Sequence, residues 1–272
     1  MIRAIFFDLD DTLLWDKKSI KEAFRQTCAL AATVHTDIDP DALEEAVRTH
    51  ATELYQSYET YEFTKLIGIN PFEGLWGAFR DDTEDFNRLR EIAPVYQQAA
   101  WEKGLAEIGI EDGELANQLA SHFPSERRKN PYVFEDTFAV LDELQHSYRL
   151  LLLTNGSPDL QNTKLEITPQ LVPYFDHILI SGAYGKGKPD AAMFKHALEL
   201  SGTAKEEVLM VGDNLHTDIL GGNQAGIETI WLNRDGIENT TDIRPTYEIR
   251  RLSEIKNVIA EKKRLQLVKT YG

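Results

Sequence analysis

Ile5-Phe6-Phe7-Asp8-Leu9-Asp10-Asp11-Thr12-Leu13-Leu14 decides how the rest of the chain is read. A short apolar run, starting at Ala4, ends abruptly in carboxylates. Such a run suits a strand buried on both faces of a parallel sheet. Side chains alternate along a strand, so Asp8 and Asp10 share one direction while Leu9 points away. If the strand ends here, both carboxylates face the crevice beyond its carboxyl end, where open α/β sheets bind ligands. Two carboxylates this close repel each other, and a divalent cation relieves the repulsion. The pair therefore reads as a metal site with two chemical roles, although loop and helix-cap duties also explain it.

The 272 residues allow one large or two ordinary domains. With 29 Lys plus Arg against 45 Asp plus Glu, the formal net charge is −16. That argues against nucleic acid or an anionic membrane as the main partner, since both need a positive face. A small anionic substrate stays open, because a metal ion and a few local donors can reverse the field inside a cleft. Cys28 is the only cysteine, so no internal disulfide can form. The N-terminus enters the first strand without a charged-then-apolar leader, and no window holds about 18 apolar residues in a row. The expectation is a cytoplasmic protein of undetermined oligomeric state.

Beyond Leu14 the apolar period becomes helical. The spacing predicts helices over 18–32, after Pro40 with Asp39 as N-cap, over 85–105 and over 111–128. Between them, residues 58–79 are rich in aromatics and glycine. Almost nothing from 16 to 130 reads as strand. From Pro131 strand and helix alternate. Strands are predicted over 148–154, 177–181, 207–211, 229–232 and 247–252. Helices are predicted over 136–146, 158–166, 189–200 and 218–225, with a closing helix capped by Ser253. Alternation of this kind means a doubly wound, mainly parallel α/β sheet of Rossmann-like type. The expected organisation is a core from 1–15 and 131–272, with an all-helical domain of residues 16–130 inserted after the first strand.

Three later strand ends carry polar residues. Thr154-Asn155-Gly156-Ser157 offers a hydroxyl and backbone N–H groups at a helix start, a natural phosphate cradle, or simply a turn capped by Ser157. Gly185-Lys186-Gly187-Lys188-Pro189-Asp190 offers an ammonium that could neutralise phosphate, or a solvated lysine. In Gly212-Asp213-Asn214-Leu215-His216-Thr217-Asp218, Gly212 permits close backbone approach and Asp213 could complete an oxygen-ligand set for Mg²⁺. Capping explains Asp218 equally well. The seven histidines show no paired ligand spacing. Cys28, Trp76, Trp101 and Trp231 read as core, and Lys262-Lys263-Arg264 as a solvated helix end.

Taken together, the four stretches resemble the motifs of the haloacid dehalogenase-like hydrolase superfamily, on its phosphatase branch. Asp8-Leu9-Asp10-Asp11-Thr12 resembles the nucleophile motif and Thr154-Asn155-Gly156 the second. Lys188-Pro189-Asp190 resembles the third, and Gly212-Asp213 with Asp218 the fourth. The likeness covers residues 1–15 and 131–272, and the helical insertion stands where this family carries its cap domain. It implies that Asp8 is the nucleophile and becomes an aspartyl phosphate. Asp10 would be the general acid and base. Mg²⁺ would be held by Asp8, the Asp10 backbone carbonyl and Asp213. Thr154, Asn155 and Gly156 would hold the phosphoryl oxygens, with Lys188 balancing charge and Asp218 orienting it or a metal-bound water.

Within the superfamily, a dehalogenase needs neither metal nor an acid two residues after the nucleophile, so Asp10 favours phosphatase chemistry. A phosphomutase and a non-catalytic regulator are the other readings. A cap after the first motif favours a small phosphorylated metabolite as substrate. The whole chain, including Tyr58-Glu59-Thr60-Tyr61 and residues 69–76, resembles a group of bacterial phosphoserine phosphatases. That makes L-phosphoserine the leading candidate, ahead of sugar phosphates, phosphoglycolate and nucleotides. Glu59, Glu62 or Glu73 could meet its ammonium, and Arg80, Arg127 or Arg128 its carboxylate.

Overall fold

The structure, a computed structural model, describes residues 1–271, with side chains as far as residue 264. Its contacts divide the chain into two compact units. One comprises Met1–Trp15, Val133–Asn155 and the chain from Thr168 onward; the other comprises Asp16–Tyr132 and Gly156–Ile167.

The first unit is built on a six-stranded, wholly parallel sheet: β1 (Ala4–Phe7), β2 (Arg149–Thr154), β3 (His177–Ile180), β4 (Val208–Gly212), β5 (Glu228–Leu232) and β6 (Tyr247–Ile249). The order is β3-β2-β1-β4-β5-β6. β1 lies inside the sheet with Phe6 paired to Leu151 on one side and Met210 on the other. The winding direction reverses at β1, so the ends of β1, β2 and β4 open onto the crevice of a topological switch point. Alternate residues share a face, and Ala4, Phe6, Leu151, Leu153, Val208 and Met210 bury against Met193, Phe194 and Ala197 of the helix Ala191–Ser201.

The second unit is all helical: α1 (Asp16–Val34), α2 (Pro40–Ser57), α3 (Tyr61–Ile67), α4 (Pro71–Gly74), α5 (Glu84–Glu107) and α6 (Gly113–Lys129). The first unit's helices are α7 (Thr137–Leu144), α9 (Ala191–Ser201), α10 (Leu220–Ala225) and α11 (Ile255–Tyr271), whereas α8 (Pro158–Glu166) groups with the second unit. The aromatic residues explain why the second unit closes on itself. Phe24 of α1 meets Phe123 of α6 at 4.7 Å and Trp101 of α5 at 5.9 Å. Cys28 and Trp76 are buried in the same cluster, and so is Leu160 of α8. Asp39 caps α2 as expected, accepting from the Asp41 N–H at 3.0 Å. No helix among the described residues is long and apolar enough to cross a membrane.

Several boundaries differ from the sequence expectation for identifiable reasons. α9 begins after Pro189, because the Asp190 carboxylate accepts from the Ala192 N–H at 2.8 Å and so takes the cap. Ser253 does not cap α11. A tight turn precedes that helix, and the Glu254 carboxylate accepts from the Arg250 and Arg251 N–H groups instead. The expected helix 218–225 is a wide turn, Leu215–Ile219, followed by the short α10. Lys262 is not simply solvated: it pairs with Glu228, and Lys263 lies over the Tyr148 ring.

Candidate active site

Asp8 is the first residue beyond β1, and its N–H donates to the Val211 carbonyl at 2.9 Å, one step past the β1–β4 register. The strand pairing therefore fixes its backbone before any side chain acts. Its carboxylate is buried and gripped from two directions. The Lys188 ammonium donates to Oδ1 at 2.6 Å, and the Thr12 hydroxyl donates to Oδ2 at 3.0 Å.

Lys188 uses all three of its donors, on Asp8, on Asp218 Oδ1 at 2.7 Å and on the Leu153 carbonyl at 2.7 Å. The Asn155 side chain brackets its backbone. Oδ1 accepts from the Lys188 N–H at 2.8 Å while Nδ2 donates to the Lys188 carbonyl at 2.9 Å. A β-carbon at Gly187 would come within 2.8 Å of Asn155 Oδ1, so the clamp needs glycine there. Asp218 also accepts from the Asn214 N–H at 3.1 Å. It lies so close to Gly212 that a β-carbon at that glycine would sit 2.2 Å from Oδ2.

Charge and burial compete here. Burial pushes the Asp8 carboxyl up to about 6, with the Lys188 ammonium partly offsetting it. For Lys188, burial disfavours the cation, but the Asp218 and Asp8 carboxylates outweigh it and hold the ammonium charged. The oxygens of Asp8, Asp213 and Asp218 lie within 4.8 Å of one another. Three carboxylates with hard oxygen donors this close together fit a divalent cation such as Mg²⁺. Asp218, expected only as a supporting residue, thus stands among the carboxylates that could hold a metal.

The other expected residues are placed less uniformly. Thr154 is buried at the end of β2 and Asp10 is half-buried in the loop after β1. Gly156 has φ 134°, and its N–H donates to the Ile67 carbonyl at 3.0 Å instead of standing open to a ligand. Glu73 and Arg127 are consumed inside the helical unit. Glu73 caps α4 and pairs with Lys164 at 2.8 Å, while Arg127 pairs with Asp16 at 2.6 Å. Glu59, Glu62, Arg80 and Arg128 are exposed.

Sequence reading missed two residues at this site. Thr12 joins Asp8 to the loop after β4, since its oxygen also accepts from the Asp213 N–H at 3.1 Å. Its position four residues after Asp8 was the available signal. The Trp231 indole donates to the Asp213 carbonyl at 2.8 Å, a contact between two strand ends that no local pattern announces.

Comparison with known proteins bears on this geometry. A family model described as haloacid dehalogenase-like hydrolase matches residues 2–226. Phosphoserine phosphatase of Thermus thermophilus is 32% identical over 93% of this chain and 98% of its own. Mouse N-acylneuraminate-9-phosphatase is 35% identical over 93% of this chain and 92% of its own. Among solved structures, the putative HAD-hydrolase YfnB of Bacillus subtilis, bound to magnesium, aligns with TM-score 0.66 and 25% identity over 94% of this chain and 98% of its own. Its description adds that the structure reveals interdomain movement. With the buried Asp8 carboxylate, the Lys188 ammonium and Asp213 and Asp218 gathered beyond the strand ends, the chain belongs to the haloacid dehalogenase-like hydrolases, on their phosphatase branch.

Proposed function

We propose that the chain is a cytoplasmic, Mg²⁺-dependent phosphatase of small phosphorylated metabolites, working through an aspartyl phosphate on Asp8, with L-phosphoserine as its substrate. One observation carries the mechanism: a buried carboxylate at a strand end, held on one oxygen by a buried lysine and on the other by Thr12. Asp8 attacks phosphorus through a carboxylate oxygen, and the bond from phosphorus to the leaving oxygen breaks with its electron pair. Asp10 gives that oxygen its proton. Water then attacks the acyl phosphate, Asp10 takes back a proton, and inorganic phosphate leaves Asp8 free.

Phosphoryl transfer asks for positioning and charge neutralisation above all. Lys188, Thr154 and the Asn155 backbone would hold the phosphoryl oxygens, and Gly156 would join them by giving up its bond to Ile67. Asp8, Asp213 and the Asp10 carbonyl would hold Mg²⁺, with Asp218 beside them. When bound, the ion neutralises charge between an anionic nucleophile and an anionic substrate.

The substrate rests on likeness to the Thermus phosphatase over nearly the whole chain. Serine phosphate also needs an acid for its ammonium and a base for its carboxylate. Glu59 or Glu62 and Arg80 or Arg128 are the candidates not tied up in buried pairs. The mouse relative supports a second reading, a 9-phosphorylated sugar acid. A panel of phosphoserine, N-acylneuraminate 9-phosphate, other sugar phosphates, nucleoside monophosphates and phosphoglycolate should give phosphoserine the highest kcat/KM. Equal values across the panel would remove phosphoserine and leave the phosphatase. Absence of hydrolysis for every member and for p-nitrophenyl phosphate would remove both.

A further inference from the structure

Asp11 has φ 59°, in the left-handed region that a residue with a β-carbon rarely adopts. A conformation of that kind persists only where the surroundings over-determine it. It lies between Asp10 and Thr12, so whatever holds this loop also decides where the Asp10 carboxyl points. Some of the restraint is local. The Leu13 and Leu14 N–H groups both donate to the Leu9 carbonyl at 2.9 Å, and the Leu13 carbonyl accepts from the Thr137 hydroxyl at 3.0 Å.

A further restraint comes from a residue 222 positions away in sequence. Arg234 follows β5 and lays its guanidinium over the Phe134 ring at 3.7 Å. One nitrogen, Nη2, donates both to the Thr12 carbonyl at 3.2 Å and to Asp136 Oδ1 at 3.1 Å. Phe134 is itself fixed: its N–H donates to the Leu13 carbonyl at 3.2 Å, and its ring stacks on Trp15 at 5.1 Å. Asp136 is anchored through Oδ2, which accepts from the Ser253 N–H at 3.2 Å. The pair is mostly shielded, with side-chain exposures of 18% and 15%. Asp8, by contrast, is held by Lys188 and by the Thr12 side chain, whose oxygen is also tied to the Asp213 N–H. Losing the bond to the Thr12 carbonyl therefore weighs on the acid more than on the nucleophile.

We propose that Arg234 is a positioning residue for Asp10, fixing the strained turn that aims the general acid at the leaving oxygen. The inference rests on the reading of Asp10 as that acid. In the first step the bond from phosphorus to the leaving oxygen breaks, and the oxygen takes its electron pair and the Asp10 proton. A leaving group that is already a stable anion, p-nitrophenolate, needs that proton little, whereas phenolate needs it more.

The experiment compares kcat/KM for phenyl phosphate and p-nitrophenyl phosphate with Mg²⁺, in the full-length wild type, Asp10→Asn, Arg234→Met and Arg234→Lys. Arg234→Met keeps the stem and removes the donors. Its phenyl to p-nitrophenyl ratio should fall about tenfold, a part of the ~10²–10⁴ that a positioned acid supplies. Arg234→Lys should recover part of the ratio, because one ammonium can reach both acceptors but lacks the flat stack on Phe134. The ratio is unaffected by a smaller folded fraction, since both substrates meet the same folded molecules. If Arg234→Met is insoluble, Phe134→Leu removes the platform and should lower the ratio in the same direction. A fall in Asp10→Asn with no change in Arg234→Met, or in Phe134→Leu where that variant replaces it, overturns the positioning role and leaves the phosphatase reading intact. An unchanged ratio in Asp10→Asn means that Asp10 is not the acid, which removes the acid role and the positioning role together, while the hydrolysis measured keeps the phosphatase reading.

Discussion

Lys188 concentrates the physical problem of this site at one residue. Its ammonium is buried with two carboxylates, and side-chain exposures of 1% for Lys188 and Asp218 and 10% for Asp8 leave little water to share the charge. Breaking a buried ion pair by removing one partner costs about 3–5 kcal/mol, because the remaining charge is stranded. Lys188→Met should therefore lower unfolding stability by about that amount in chelator at pH 7, measured by urea titration. Added Mg²⁺ should restore part of the loss, since a cation among Asp8, Asp213 and Asp218 relieves the same repulsion. A loss under about 1 kcal/mol would mean that the two carboxylates are not charged together in the folded protein. The sequence announced Lys188 as a cation ahead of a helix. It did not announce the burial, because the Asn155 bracket spans 33 positions and becomes visible only when β2 and the loop before α9 are in place.

At the scale of elements, α8 shows where local pattern runs out. Pro158, Ser157 and the apolar residues Leu160 and Leu165 predict the helix, and Ser157 does cap it, accepting from the Leu160 N–H at 3.2 Å. Nothing in nine residues says which unit the helix packs with. Charge answers that: Lys164 of α8 pairs with Glu73 of α4 and lies 3.9 Å from Asp16 of α1, which in turn holds Arg127 of α6. Four helices of the second unit are thus tied by a buried, charge-balanced chain. Burial raises the Asp16 carboxyl, but Lys164 and Arg127 outweigh it and hold it below its ordinary value of 3.8. A carboxylate depressed in the folded state adds stability that is complete above the unfolded value and lost as pH falls through the folded one. Asp16→Asn should cost about 3 kcal/mol at pH 7, and its deficit against wild type should shrink below about pH 4. Urea titrations between pH 7 and pH 3 measure this. A deficit that stays constant across that range would show that the Asp16 charge does not contribute.

For the whole molecule, the fold was legible because an apolar strand opens the chain, strands are missing from 16 to 130, and strand and helix alternate from residue 131 onward. Those facts required a parallel sheet with a helical insertion. The strand order and the reversal at β1 follow from pairing between distant strands, which periodicity does not encode. Of the site, the acids and the lysine were legible as polar residues at strand ends. Thr12 was overlooked inside its motif. Arg234 and Trp231 were invisible, because their roles exist only through contacts with residues 222 and 18 positions away.

The central claim, a covalent phosphoryl group on Asp8, can be tested by trapping it. Asp10→Asn should still form the acyl phosphate from p-nitrophenyl phosphate with Mg²⁺, because p-nitrophenolate leaves without a proton, yet hydrolyse it slowly for want of the base. Acid-quenched protein should then carry the mass of one phosphoryl group on the peptide that contains Asp8. The adduct should be absent in the Asp8→Asn, Asp10→Asn double variant and in chelator. A protein that turns over p-nitrophenyl phosphate as wild type, yet accumulates no phosphorylated peptide in Asp10→Asn, or carries it elsewhere than Asp8, would contradict the account.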